Sequence, residues 1–545
     1  MAPAVPTPSG GARPPARRVA AGLAGFLLIL ALSLFGPAEP GPAGAPAPET
    51  SWLPVQGGTS ALATGAAGVP TVAAAAVAPE SLRAATSAPG GRAAPGGALA
   101  FLSTLISPGP RSAAAVTQAE EMELGRQVYM EIAKQGAIFT DPYVVQYFMR
   151  VCQRLLKAAG PQTVPFTFTL VYSDSLNAFA VPGGYVYMHT ETINSLENEG
   201  QMAAILAHEI AHITSRHFAL RAEKNSVASI AGFAGMIAGA LLMSQGGGSS
   251  AALGQALMIG APGAAIQSML ANSRADESEA DRKGRQYMLR AGYNARDMYG
   301  AFRIMNDKSF SLSSKIPTYM STHPGIPARL ASTFADQQDA PAAPADPVYL
   351  AMRDRVMAIT ADPARVRNVM NTRLKENPRD ASALHALGVL AQRSKNLSQA
   401  DKFYQQAIEI SPSNGEYLSD AGDLAYERRK PEDAVRLYNE ARRKGDSTPQ
   451  TVLGLARAYE MLGRDSEASK AYDQAVSAAG TLYPRALEYA GLFFSRKGDP
   501  AKGHWLLGEY FNQTGDAKDA SFHYAEVAKL PGGGRYKSRA EQHVR

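Results

Sequence analysis

The sequence predicts an α+β domain, mostly helical with a small antiparallel sheet, followed by an all-α repeat solenoid. A chain of 545 residues is too long for one domain. From about Thr117, apolar residues recur at helical spacing and then in short strand-length runs. Near the C-terminus, one set of small and aromatic residues recurs every 34 positions. We predict two domains, residues 113–345 and residues 346–545.

The first 112 residues precede both domains. Residues 1–36 combine arginines, an apolar run and a Pro/Ala/Gly tail, which is the pattern of an export signal. The run is long for a cleaved signal, so an uncleaved N-terminal anchor is the alternative. Residues 37–112 are rich in Ala, Pro and Gly without a sustained period, and they predict a disordered tether. We therefore expect an exported protein, periplasmic or tethered to the membrane.

Charge and cysteine content exclude some function classes. The formal net charge is +6, and the basic residues are scattered along the chain. Because nucleic-acid surfaces cluster basic and aromatic residues, we expect no nucleic-acid partner. The single cysteine, Cys152, lies in a segment with helical apolar spacing and predicts a buried structural thiol.

The first domain begins with helical segments and continues with short strands. Two helix-spaced segments each end in a glycine, which suits a C-terminal cap. Three strand-length runs separated by turn residues predict the sheet. One long helix then follows. The predicted helices are 118–136, 141–160 and 197–225, and the predicted strands are 166–172, 177–181 and 185–189.

Residues 225–273 carry no formal charge. Their small and apolar composition permits close helix packing in lipid, but a Gly/Ser run interrupts the stretch. We favour a helical hairpin that packs on the domain or contacts a membrane surface. A helix that spans the membrane is the less favoured alternative.

The C-terminal third contains an internal repeat. Its period and its small/aromatic/small pattern are typical of tetratricopeptide repeats, in which small residues let paired helices approach and the tyrosine fills the gap. We expect about four or five repeats that bind protein or peptide partners. The residues in register are Ala400, Ala434 and Ala468; Tyr404, Tyr438 and Tyr472; and Ala407, Ala441 and Ala475.

The stretch "ILAHEIAHITSRH" holds three of the nine histidines. Residues four apart on a helix differ by about 40° around its axis, so His208 and His212 point the same way. Two such imidazoles can bind one zinc ion, and Glu209 is placed to reach a bound water as a general base. On a continuous helix, His217 lies about 140° from His212 and cannot complete the site.

A third ligand must come from another segment. Glu277 and Asp281 share one helical face in "NSRADESEADRKG", and Glu279 projects elsewhere. One of the pair is suited to bind zinc and the other to orient a histidine ligand. Spacing alone does not decide between them, and a solvated acidic helix is the alternative.

Two further segments fit a peptide-binding site. The strand that starts with Asn177, Ala178 and Phe179 can hold an extended peptide by β-augmentation, with Asn177 bonding the peptide; a purely structural strand is the alternative. His323 is suited to the fourth zinc position or to stabilising an oxyanion, and a loop-anchoring role is equally compatible with its position.

Four motifs occur in order: "LNAFAVPGGYVYMHT", "LAHEIAHITSRH", "NSRADESEADRKG" and "STHPGIPARL". Together they resemble the signature of the HtpX and CAAX-prenyl-protease group of zinc metallopeptidases. The resemblance implies one zinc ion on His208, His212 and Glu277, with Glu209 as the base and Asp281 supporting the site. It also implies misassembled envelope proteins as substrates.

These observations predict a zinc-dependent endopeptidase of the cell envelope. The repeats would recruit protein substrates or an envelope assembly complex. The alternative is a chaperone-like repeat adaptor with a structural or latent zinc site. A second alternative, an integral-membrane prenyl-type protease, requires several membrane spans, whereas this chain offers one N-terminal segment and one ambiguous insert.

Overall fold

The computed structural model describes residues 117–134, 136–220, 273–311, 323–338, 346–530 and 534–544. These residues form a mostly helical α+β domain followed by a helical solenoid, which confirms the predicted fold class. The predicted signal or anchor (1–36), the tether (37–112) and residues 225–272 of the uncharged stretch lie outside the described residues. Within the described ranges, no helix is long and apolar enough to span a membrane.

The first domain surrounds a three-stranded sheet with helices. Asp141 caps the second helix by accepting a hydrogen bond from the Val144 N–H, and Cys152 of that helix is buried, as predicted. The elements are α1 (Gln118–Lys134), α2 (Pro142–Ala159), β1 (Thr167–Val171), β2 (Ala178–Val181), β3 (Tyr185–His189), α3 (Thr190–Ser195), α4 (Glu199–Thr214), α5 (Arg274–Arg290), α6 (Arg296–Ser311) and α7 (Ile326–Gln338).

The sheet is mixed rather than antiparallel throughout. Its strand order is β1-β3-β2, with β2 antiparallel to β3 and β1 parallel to β3. The chain reverses direction between β1 and β2 and again at the tight turn before β3. Because β3 inserts between the other two strands, its partner β1 runs in the same direction. The antiparallel β1 pairing expected from the sequence is therefore wrong, whereas the β2–β3 hairpin is confirmed.

Helix α4 forms the centre of the first domain. Every residue from Gly200 to His212 is buried, and Asn198 caps the helix by accepting a hydrogen bond from the Gln201 N–H. Such a helix is apolar on all sides because it is packed on all sides. The histidine motif therefore lies in the interior of the domain and not on its surface.

The predicted long helix 197–225 is interrupted. Helix α4 ends at Thr214, Ser215 is its C-cap, and Arg216 has a φ of 52°, in the left-handed region that no α-helix continues through. A short turn of helix resumes at His217. His217 therefore does not lie at the 140° offset from His212 that a continuous helix would impose.

The solenoid is a series of paired helices. In three successive pairs a tyrosine from the second helix, Tyr404, Tyr438 or Tyr472, is fully buried. A Cβ on Gly388 would lie 2.5 Å from the Tyr404 ring, so glycine is required where that ring packs. The helices are α9 (Pro363–Glu376), α10 (Ala381–Arg393), α11 (Leu397–Ile410), α12 (Gly415–Glu427), α13 (Pro431–Arg443), α14 (Pro449–Met461), α15 (Asp465–Ala479), α16 (Arg485–Arg496), α17 (Pro500–Gln513), α18 (Ala517–Lys529) and α19 (Gly534–Val544).

Helix α8 (Pro347–Thr360) lies between the two parts. Tyr349 and Val356 belong to the core of the first domain, whereas Met357 belongs to a core cluster of the solenoid. Arg355 on the same helix is buried and pairs with Asp141 at the start of α2 and with Asp420 on α12. Breaking such a buried cluster costs about 3–5 kcal/mol, so these ion pairs hold the two parts together.

Candidate metal centre

The structure brings four potential metal ligands together from three separate segments: α4, α5 and the residues just before α7. His208 Nε2 lies 2.9 Å from His212 Nε2 and 3.3 Å from a Glu277 carboxylate oxygen. His323 Nδ1 lies 3.3 Å from His208 Nε2 and 3.1 Å from the other Glu277 oxygen. All four residues are buried, and their donor atoms lie within 4.8 Å of one another. Among the residues suggested by the sequence, these four converge on one point.

The donor set fits a zinc ion. Tetrahedral zinc binds imidazole nitrogen and carboxylate oxygen at about 2.0–2.2 Å, which places neighbouring ligand atoms about 3.3 Å apart. The distances from His208 and Glu277 to each other and to the other two donors run from 2.9 to 3.4 Å. Two imidazoles on consecutive turns and one carboxylate from another helix also match the chemistry zinc prefers.

Asp281 and Glu277 contact different sides of the same imidazole. Asp281 Oδ1 lies 2.8 Å from His208 Nδ1, whereas Glu277 lies at Nε2. A hydrogen bond donated by Nδ1–H fixes the tautomer that leaves Nε2 free for a metal. This geometry separates the two carboxylates, which helical spacing alone left equivalent.

Arg329 contacts both Glu277 and Asp281. This residue was not predicted from the sequence to belong to the site. Its guanidinium donates two hydrogen bonds to Asp281, at 2.7 and 2.8 Å, and lies 2.9 Å from Glu277 Oε2. It also stacks over the Phe302 ring at 4.1 Å. Two buried carboxylates require compensating positive charge, and Arg329 is the one arginine in the "STHPGIPARL" segment.

The charges of the site favour the metal-binding forms of His212 and Glu277 but not that of His208. Burial, with the neighbouring His208 charge, lowers the pKa of His212 well below its ordinary value, so this imidazole is neutral. Burial alone would raise the pKa of Glu277, but His323 and His208 hold it far below its usual range. Burial and Arg329 lower the pKa of His208, but Glu277 and Asp281 together raise it to about 9. Ion binding must therefore release a proton from His208, and metal affinity falls with decreasing pH.

Glu209 is a buried carboxylate without a hydrogen-bond donor. It is fully buried on α4, and neither of its oxygens has a hydrogen-bond partner among the described residues. His323 Nε2 lies 3.5 Å from Glu209 Oε1. An unsatisfied buried carboxylate costs several kcal/mol, so its retention beside four metal donors indicates a ligand or water that it serves.

His217 contacts the site through His212. The two Nδ1 atoms are 2.9 Å apart, and His217 Nε2 lies 3.5 Å from the exposed carboxylate of Glu279. His217 is not among the four converging donors, but it is placed to accept the His212 Nδ1 proton and so fix that ring. The His212–His217 contact forms because the helix is interrupted at Ser215 and Arg216. Helical periodicity does not predict such an interruption.

Close packing of α5 against α4 sets the distance between the carboxylates and the histidines. A Cβ built on Gly284 would lie 3.1 Å from the backbone of Ala207 and His208. These neighbours belong to the centre of a buried helix and cannot move independently. Glycine at this position therefore allows Glu277 and Asp281 to reach His208.

Replacing Gly284 with valine is expected to push the two helices apart. Overpacking of this kind costs about 1–3 kcal/mol of unfolding free energy. The shift also weakens zinc binding by about tenfold, since the carboxylates recede from the imidazoles. Ser278→Val, on the exposed face of the same helix, is the control and should retain wild-type affinity. Equal zinc affinity of the Gly284→Val and control variants in a competition titration would contradict this role.

The segment proposed to hold a peptide lies at the edge of the sheet. β2, which contains Ala178 and Phe179, pairs with β3 on one side and with no other described strand. Asn177 is buried, and its backbone N–H and C=O both bond the Thr192 hydroxyl. Its side-chain oxygen Oδ1 has no hydrogen-bond partner among the described residues. The backbone of Asn177 is therefore already engaged, and β2 is the part with a free edge.

Residues 144–334 match peptidase family M48, and residues 381–414 and 419–484 match tetratricopeptide repeats. The chain therefore contains an M48 metallopeptidase domain followed by tetratricopeptide repeats, as its donor cluster and paired helices indicate. It is homologous to the beta-barrel assembly-enhancing protease of Escherichia coli K12. The two are 27% identical over 371 residues, which covers 67% of this chain and 75% of that protein.

Other relatives agree with this assignment. A putative beta-barrel assembly-enhancing protease of Vibrio cholerae is 30% identical over 311 residues, covering 54% of this chain and 62% of that protein. The mitochondrial metalloendopeptidase OMA1 of Bos taurus is 31% identical over 170 residues, covering 30% of this chain and 31% of that protein. The predicted resemblance to a metallopeptidase with repeats is confirmed.

Proposed function

We propose that this chain is a zinc-dependent endopeptidase of the cell envelope, with His208, His212 and Glu277 as the zinc ligands and Glu209 as the general base. The observation that carries the proposal is the buried Glu209 carboxylate, which lacks a hydrogen-bond donor beside the converging donors. A purely structural zinc site gains nothing from such a carboxylate.

Bound zinc would polarise the scissile carbonyl and activate a water molecule at this site. Glu209 accepts the proton of the attacking water and then delivers it to the leaving amine. Asp281 holds His208 in the tautomer that presents Nε2, and Arg329 holds Asp281. The burial of the site limits competing water and strengthens these charge interactions.

Substrate would bind along the free edge of β2 as an added strand, with Ala178 and Phe179 in the binding edge. The Asn177 side-chain oxygen would accept one further hydrogen bond from the peptide. The repeats would recruit the substrate or an assembly complex. By analogy with the beta-barrel assembly-enhancing proteases, we place the protein among exported proteins and its substrates among misassembled envelope proteins.

The position of His323 favours a second candidate, a repeat adaptor with a structural or latent zinc site. Its Nδ1 joins the two histidines and Glu277 as a fourth donor. Four protein ligands are typical of structural zinc, whereas catalytic zinc keeps one position for water. In the peptidase proposal, His323 must leave that position before a substrate is cleaved.

Replacing His323 with alanine tests whether this residue is the fourth zinc ligand or stabilises the oxyanion. If His323 fills the fourth position, its removal opens the position to water, and casein cleavage is expected to rise several-fold with zinc retained by the other three ligands. Metal content and casein cleavage are measured on the same preparation. A loss of cleavage with zinc retained would instead assign His323 to stabilising the oxyanion.

The peptidase proposal is tested by removing and restoring the metal. Chelation with 1,10-phenanthroline is expected to abolish casein cleavage, and added zinc is expected to restore it. Cleavage that persists in the demonstrably zinc-free protein would exclude the proposed function.

A further inference from the structure

The solenoid contains a cavity that the proposed hydrolysis does not use. It has a volume of about 700 Å³ and is lined by the first helix of four successive pairs, α10, α12, α14 and α16. Asp141 and Arg355 close it on the side of the peptidase domain. A cavity of this size accommodates several side chains of a bound segment.

Every carboxylate that lines the cavity already has an ion-pair or hydrogen-bond partner. Arg355 binds Asp141 and Asp420. Lys395 binds Glu427 at 2.7 Å. The fourth carboxylate, Asp423, accepts hydrogen bonds from Tyr438 and Gln450. The lining holds six cations and four carboxylates, so the cavity keeps a surplus of two positive charges.

Four arginines in the lining form no ion pair with any carboxylate of the described ranges: Arg393, Arg429, Arg457 and Arg485. They come from four successive helical pairs. Arg393 donates hydrogen bonds to the backbone oxygens of Ala358 and Ala361 and keeps its charge uncompensated. The surplus positive charge thus extends along the solenoid rather than at one point.

Arg457 is held in a fixed position for binding. Its guanidinium lies between the Tyr426 and Tyr489 rings, 4.4 Å from each ring centroid. Stacking on both faces leaves the edges of the planar group to donate hydrogen bonds. Because the orientation is already set, a carboxylate that binds there loses little entropy in ordering this side chain.

We propose that this cavity binds an extended acidic segment of a partner polypeptide. Its carboxylates accept paired hydrogen bonds from Arg457 and Arg485, and the tyrosine rings pack against the aliphatic parts of the segment. Arginines spread over four helical pairs match several spaced carboxylates better than a single chain terminus. Binding of this segment does not depend on catalysis. Only the idea that the bound polypeptide is then cleaved rests on the proposed function.

The test uses the full chain carrying Glu209→Gln, so that bound peptide is not cleaved. A fluorescent, amidated peptide rich in glutamate is compared by anisotropy with its glutamine counterpart. The acidic peptide is expected to bind with an affinity that falls as salt rises, and the glutamine peptide is expected not to bind. Because catalysis is absent from the assay, its result does not depend on whether the chain is a peptidase.

Arg457→Gln is expected to weaken binding by at least about tenfold, the value of one charge-assisted pair of hydrogen bonds. Arg485→Gln, at an exposed position, gives the same test without disturbing the core. Arg443→Gln removes an equal charge outside the cavity and is the matched control, expected to retain affinity within about twofold.

Circular dichroism verifies that each variant is folded. The inference is overturned by equal binding of the glutamine peptide, by wild-type affinity of both folded cavity variants, or by tighter binding of an oligonucleotide. A neutral peptide with a free C-terminus that binds as tightly as the acidic peptide would overturn it as well.

Discussion

Replacing Glu209 with glutamine is expected to lower casein cleavage by about 10²- to 10⁴-fold, the contribution of a positioned general base. Glutamine has nearly the same shape, so the buried environment on α4 is retained. The amide cannot accept the proton of the attacking water. Zinc content is expected to remain at one ion per chain, because Glu209 is not one of the four converging donors.

The control for this variant is Glu197→Gln, which removes the same charge from an exposed residue just before α4. It is expected to cleave casein at the wild-type rate. Unchanged proteolysis by the Glu209→Gln variant would exclude the mechanism. Lost proteolysis with an unaffected cellular phenotype would favour the adaptor function instead.

Replacing Glu277 with glutamine is expected to reduce zinc affinity by more than about 100-fold, since changes to groups that only support a ligand already cost 10- to 100-fold. The amide is neutral, so it no longer balances the ion or the Arg329 guanidinium 2.9 Å away. Breaking this buried pair also lowers the melting temperature. Zinc is measured by elemental analysis after desalting, with circular dichroism as the folding check.

Glu279→Gln is the matched control for the Glu277 variant. It removes the same charge two residues away on the same helix, from a side chain that is 42% exposed. This variant is expected to keep stoichiometric zinc and casein cleavage. Full retention of zinc by the Glu277→Gln variant, with loss in the Glu279→Gln variant, would move the ligand to Glu279.

The sequence predicted the elements that depend on local periodicity. Four-residue spacing on a helix placed His208 and His212 together, and the 34-residue repeat predicted the paired helices and their buried tyrosines. Glycines indicated where the first two helices end. These features follow from backbone geometry and from local packing, which a single sequence records.

The contacts that depend on tertiary packing could not be predicted. Glu277 and Asp281 are equivalent by spacing, and only the approach of α5 at Gly284 places them at different nitrogens of His208. Arg329 enters the site through the docking of α7. His217 contacts His212 because the backbone turns at Arg216, a left-handed conformation that its residue type does not favour.

X-ray absorption at the zinc edge of the purified protein tests most directly whether these distant segments enclose one ion. We predict only nitrogen and oxygen donors at about 2.0–2.2 Å, with scattering from at least two imidazole rings. A zinc spectrum without imidazole scattering would contradict this prediction.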